Sequence, residues 1–404
     1  MKKLVLSLAL VASALVVHAE KVRIGTVSVS GRPAFAEAVQ RLSSMVGNPM
    51  LAGLLSGSLE QVSEQAVEFA IVADGDDVDF EKTSGTPTFA SGELVRAKVG
   101  SDGIAAIAAM LERTAKTQGG APVKPADLAV LKTVTGFGGS VFCTERGIDL
   151  RGRVAAADGS ELSKVGLKAL SADALAFAGK NAISAGANAA NCGTGDQKAT
   201  VESVLAVLKK NGVKTDFLQL DVRESMLKIV MDLPALVKYA EGEGAKTFAK
   251  LDPKAFMNEI RSAVPEQAFK AESPAYAASV AVKGFTPKYA AAQRWAKTLP
   301  EAAGKPVHTA NVLSVYTIVK AVVPQVLATM PAQATAQLQP MVAALPEEGE
   351  GAIAGMGWRE GDALCGLVRV SADELRGLGA VANVVMGAVM AQAMSAPATA
   401  GDED

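Results

Sequence analysis

The sequence predicts an α+β protein made of two tandem degenerate repeats, each a mixed or mainly antiparallel sheet packed with helices. Two observations carry this prediction. Three pairs of segments resemble one another in the same chain order, as a duplication followed by insertions would leave them. Several strand-like runs also follow one another with no helix between them, which favours α+β over a doubly wound α/β sheet.

The clearest pair is G-x-x-L-x-G-x-V, read from Gly147 to Val154 and again from Gly361 to Val368, an offset of 214 residues. A short apolar stretch precedes each copy (140–143 and 353–356), and an acidic helix start follows it (Asp158 and Glu161; Asp373 and Glu374). Each copy therefore predicts a β-hairpin turning near its first glycine.

In the second pair, residues 94–99 lead through Gly100, Ser101, Asp102 and Gly103 into a helical pattern at 104–114. Residues 279–282 lead through Gly284, Thr286 and Pro287 into another at 289–298, an offset of 185. Ser101 or Asp102, and Thr286 with Pro287, suit the cap and first position of a helix. The third pair sets Ala34, Glu37, Val39, Leu42 and Gly47 against Ala199, Glu202, Val204, Val207 and Gly212, at offset 165. Each helix closes on a glycine that suits a C-cap, and an apolar strand is expected before each, at 22–29 and 174–178. The rising offsets make the second copy longer by about 20 residues in one loop and about 29 in another.

The expected organisation is a signal peptide at 1–19, a first α+β repeat at 20–166, a second, larger one at 167–394, and a disordered acidic tail at 395–404. The leader has Lys2 and Lys3, an apolar run at 4–17, and Val17-His18-Ala19 before Glu20. That order of basic, apolar and small residues predicts cleavage after Ala19. With Glu20 at the new terminus and not Cys, nothing marks a lipid anchor. The expectation is a periplasmic or secreted chain with no transmembrane anchor after cleavage. The apolar stretches at 311–330 and 378–394 carry polar interruptions and read as buried core helices, not membrane spans.

Loss of the leader's two lysines leaves 38 basic against 42 acidic residues, a net of −4. A mixed, weakly acidic surface excludes nucleic acid as a partner, since that needs a basic patch or stripe. Aromatic residues make up only 4%, too few for the stacking faces that bind sugars. His308 is the one histidine left beyond the leader and reads as a surface loop residue. Ser-His-Asp or Cys-His catalysis and zinc binding therefore lack their histidines. No catalytic, cofactor-binding or metal residue is assigned.

Three other features have plainer readings. Cys143, Cys192 and Cys365 allow one disulfide, but buried thiols are favoured because the chain is not disulfide-dense. The run Asp74-Gly75-Asp76-Asp77-Val78-Asp79 has Val78 at a position where a calcium loop needs oxygen, so it reads as an exposed turn after a strand at 67–73. Residues 192–200 hold glycines and Lys198 but not the spacing of a phosphate loop.

Residues 170–179, with Leu170-Ser171-Ala172-Asp173 leading into a small-residue run, resemble the repeat opening of uncharacterised exported bacterial proteins with duplicated α+β units. In those, a proline stands where this chain has Ser171. The resemblance implies the layout and transfers no activity. The expected function is an exported, non-enzymatic binding or envelope-structural protein whose partner is an unknown protein or a small apolar ligand. The alternative is a periplasmic carrier of a small apolar or lipid ligand, lined by the helices at 311–330 and 378–394.

Overall fold

The computed structural model describes residues 21–47, 49–74, 77–117, 125–170, 175–189, 197–223, 225–264, 276–328 and 332–395. From β1 (Val22–Val29) the chain enters α1 (Arg32–Val46) and α2 (Pro49–Leu59), then the hairpin of β2 (Val67–Asp74) and β3 (Asp77–Lys82). β4 (Glu93–Gly100) runs straight into α3 (Ser101–Thr117). Next come α4 (Pro125–Leu131), the hairpin of β5 (Val134–Thr144) and β6 (Gly147–Ala156), and one turn of helix, α5 (Glu161–Lys164).

The second half opens with β7 (Ala182–Asn188), α6 (Gln197–Lys210) and the hairpin of β8 (Leu218–Arg223) and β9 (Met226–Met231). A helical stretch, α7 (Leu233–Tyr239), α8 (Ala245–Phe248) and α9 (Pro253–Ala263), leads to β10 (Tyr276–Val282) and α10 (Ala291–Thr298). The chain closes with β11 (Val307–Leu313), α11 (Val315–Leu327), α12 (Ala332–Ala343), the hairpin of β12 (Ile353–Glu360) and β13 (Ala363–Ser371), and α13 (Ala372–Ser395).

All these strands join one open sheet of thirteen, in the order β3-β2-β1-β4-β5-β6-β13-β12-β11-β7-β10-β9-β8. Every neighbouring pair is antiparallel except β9 and β10. The α+β class and the mainly antiparallel pairing agree with expectation, but the halves share a single sheet. The join is β6 against β13, running from Gly147 opposite Ser371 to Ala155 opposite Ala363. An unpaired strand edge is a liability, and pairing the last strand of each half removes two of them. The outer edges that remain carry Asp79, Glu81 and Lys82 on β3 and Asp221 and Arg223 on β8, charges that oppose further strand addition.

Period-two alternation sorts the strands into two faces. The register places Val27, Ala97, Val141, Leu150 and Val368 on one, here called the front. Asp149, Leu367, Arg369 and Met356 lie on the back. In the second half the back is a dry core: Ala185, Ala187, Ala310, Val312, Ala354, Met356 and Leu367 pack under α10 and Leu299. Near the far edge, Ile183, Leu233, Val282 and Ala321 form a second cluster with α7 and α11.

Four expectations are corrected. The strand before α6 is β7, at Ala182–Asn188; the run expected at 174–178 holds a short 3-10 helix, Ala176–Ala178, which Gly179 closes at φ 75°. The second-half strand that sits where β4 sits is β11, not β10. β4 lies between β1 and β5, and β11 between β7 and β12, whereas β10 slots between β7 and β9. The helix expected over 311–330 starts at Val315, after the end of β11. The 378–394 helix exists within α13, but it is not buried throughout, since Val385 and Met386 are exposed. The glycines expected as C-caps fare as expected, with Gly47 at φ 66° and Gly212 at φ 71°. The leader, Cys192 and the tail beyond Ser395 lie outside the described residues.

Candidate functional site

The front of the sheet is clothed by helices on both flanks and bare in the middle. On one side α3 packs on β1, β4 and β5, burying its Ile104 and Ala108 with Val27. α1 covers the end of β5, where the Cys143 thiol reaches the Ala38 carbonyl at 3.7 Å. α5 brings Leu162 and Val165 onto Leu364, and α13 touches β6 and β13. Between them, three large apolar side chains on interior strands face solvent: Leu150 (51% exposed), Phe137 (43%) and Val368 (37%).

The two G-x-x-L-x-G-x-V segments build this patch jointly. Register sets Leu150 opposite Val368, Gly152 opposite Gly366, and Val154 opposite Leu364. The motif strands are therefore each other's neighbours, and the apolar position of one meets that of the other. The glycine row extends to Gly139 on β5 and Gly357 on β12. It makes a flat floor, with the Phe137 ring lying across Gly139 at one end.

At the other end sits the ring of His308. A Cβ on Gly357 would come within 2.9 Å of its Cε1, and one on Gly166 within 2.8 Å of its Cδ2. The sequence reading of His308 as a surface loop residue is wrong: it lies on β11 and is only 7% exposed. Its Nδ1 sits 2.9 Å from Thr309 Oγ1, and its Nε2 has no partner among the described residues. Burial, then the charge of Arg359, hold its pKa below the ordinary value, so the ring is neutral where it packs.

Behind the patch, the back face carries a buried ionic network. Arg369 grips Asp149 with two bonds of 2.6 and 2.7 Å and also donates to the Thr298 carbonyl and to Glu301. Burial is the largest influence on Asp149 and pushes its carboxyl up. The hydrogen bonds and charges of Arg369 and Arg151 outweigh it and hold the group below the usual carboxylate range.

A second buried carboxylate, Glu374 at the start of α13, accepts from Ser314 Oγ and from the Tyr316 backbone N–H, both at 2.9 Å. Ser314 is the N-cap of α11. Burial pushes Glu374 up and carries Tyr316 to about 12. Close by, Arg294 pairs with Glu348 at 2.9 Å and donates to the carbonyls of Gly349 and Gly351. These charges point at one another and at backbone, so they hold α10, α11 and α13 to the sheet.

Of the residues singled out in the sequence, Cys143 and Cys365 are separate buried free thiols. Asp74 and Asp77 face each other across the β2–β3 hairpin, whose turn residues 75–76 lie outside the described part. Among the described residues no group of three or more His, Cys, Asp or Glu could hold a metal. None of their helices is long and apolar enough to cross a membrane. No family model, curated protein or solved structure matches this chain.

Proposed function

We propose that the chain is an exported, non-enzymatic binding or envelope-structural protein, built from two copies of one α+β unit, that meets its partner on the bare front of β5, β6 and β13. The carrying observation is the exposure of Leu150, Val368 and Phe137 on interior strands. A soluble chain seldom leaves a contiguous apolar patch open unless something covers it. The duplication reading is supported by the recurrence of strand, two helices and hairpin in β4–β6 and β11–β13. The export reading rests on the leader at 1–19. The buried acids have basic, hydroxyl or backbone partners, which supports a structural role for them.

Native mass spectrometry of the protein taken from the envelope of its own host tests the reading. A partner mass is expected on the wild type and not on a Leu150→Lys/Val368→Lys double variant. If neither protein carries a partner, or both carry the same one, the front-face reading is overturned.

A further inference from the structure

The opposite face holds a different surface. At the ends of β1, β4, β5 and β6, beside the first turn of α3, lies a cleft of about 590 Å³, within the range of roughly 300–1,000 Å³ typical of small-ligand sites. Arg23, Lys98 and Arg153 line it with Thr26, Gly136 and Gly138, and its one acid is Asp102. None of the three cations has a hydrogen bond or ion pair among the described residues, whereas Arg96 and Arg151 close by are held by Glu93 and Asp149.

Register lines the cleft up across the strands: Thr26 opposite Lys98, Lys98 opposite Gly138, and Gly138 opposite Arg153. Lys98 and Arg153 thus stand two strand spacings apart, about 10 Å, with a glycine between them. Nothing in the fold demands that glycine. A Cβ on Gly138 would find its nearest neighbour, the Ala97 carbonyl oxygen, at 4.0 Å. A glycine inside a strand often marks a bend or a place where a ligand or another backbone comes close, and Gly138 leaves room for a ligand between the two cations.

The second half shows what this row looks like when it serves as core. Aligned on the hairpin turns at 145–146 and 361–362, two residues off the motif register that sets Arg153 against Leu367, the corresponding row is Val312, Ala354 and Arg369, all buried beneath the α10 segment. There the arginine has Asp149 opposite it, while Arg153 has Cys365. One arginine of the pair has an internal carboxylate and the other has none. No helix equivalent to α10 precedes β4, only the connection 83–92.

The geometry points to the cleft as a binding site for a small anion carrying phosphate or carboxylate groups, gripped between Lys98 and Arg153 over Gly138. Arginine binds such groups through paired N–H donors, and the apolar Ala155, two residues along β6 from Arg153 on the same face, suits an organic body. This inference stands on the back face and does not depend on the front-face reading.

Calorimetric titration of the full chain at low salt with inorganic phosphate, pyrophosphate and citrate, beside sedimentation with phosphatidylglycerol vesicles, tests it. Saturable binding is expected with at least one of these probes. A Lys98→Met/Arg153→Met variant should weaken it by about tenfold or more, and Gly138→Val should do the same by filling the floor. The cations are exposed, so the first variant keeps the fold, which its circular dichroism verifies. Binding of the soluble probes supports a free anion. Vesicle binding alone, lost in the same variants, supports the phosphate of a lipid headgroup. No binding of any probe, or binding untouched by both variants, overturns the site.

Discussion

Asp149 and Arg369 stand directly opposite one another on β6 and β13, the two strands that join the halves of the sheet, and they bond through both carboxylate oxygens. Both are fully buried. Removing one partner from a buried pair costs about 3–5 kcal/mol when a bare charge stays behind, and the low end applies here because Arg151 still reaches Asp149 at 3.0 Å, whereas replacing both by apolar groups is often neutral. Arg369→Met should therefore lower the denaturation midpoint steeply. Asp149→Leu/Arg369→Met should recover most of the loss. Urea unfolding of the three proteins checks the ranking, and a double variant as weak as the single would refute it.

His308 predicts an acid sensitivity above the carboxylate range. Its folded pKa lies below its unfolded value, so the unfolded chain binds the proton first. Its contribution to stability is complete above about pH 6.5 and is lost as pH falls through the folded pKa. His308→Gln cannot titrate, so its unfolding midpoint should change less between pH 7 and 5 than that of the wild type. Parallel slopes would rule this out. Asp149, also depressed, acts in a lower window, below about pH 3.9.

Glu374 has the opposite sign. Burial raises its folded pKa, so the stability it contributes is complete below about pH 4.3 and is lost as pH rises through the folded value. Glu374→Gln removes that loss. The difference in stability between wild type and variant should shift in favour of the variant as pH rises from 4 to 8. A pH-independent difference would show that the carboxyl does not titrate there.

Two glycines near the cleft should respond in opposite ways to alanine. A Cβ on Gly103 would come within 1.8 Å of the Ile24 carbonyl oxygen, so Gly103→Ala must push α3 off β1. It should cost about 3 kcal/mol or more, as severe overpacking does. Gly138 has open space above it, and alanine lowers the entropy cost of a strand glycine by about 0.5–1 kcal/mol. Gly138→Ala should be neutral or stabilising in thermal melts. Equal losses in the two variants would contradict this.

Much of the local structure was legible because it rests on local signals. The strand at 22–29 coincides with β1, the run from 94 into a helix with β4 and α3, and both G-x-x-L-x-G-x-V hairpins turn near their first glycines, at 145–146 just before Gly147 and at 361–362 on Gly361. The candidate site was not legible. Leu150 and Val368 look like core residues in sequence, since an apolar side chain on an interior strand is normally covered. Their exposure depends on where α1, α3, α5 and α13 come to rest. The cations of the cleft were also missed. Arg23, Lys98 and Arg153 lie far apart in the chain, and only the register sets Lys98 and Arg153 on either side of Gly138.

What the sequence alone determined is the α+β, mainly antiparallel character of the protein, the places of its two motif hairpins, and the recurrence of the motif ending at Val154 and Val368. These follow from side-chain periodicity and turn chemistry within a few residues. Tertiary structure alone decided that the two motif strands pair with each other, so that one sheet replaces two. It also decided that β11 and not β10 takes the place of β4, and that His308 is buried while Leu150 is not. The physical reason is the same in each case. A strand's pattern says which side chains share a face, but its neighbour and its cover are chosen by competition among edges and helices distant in the chain.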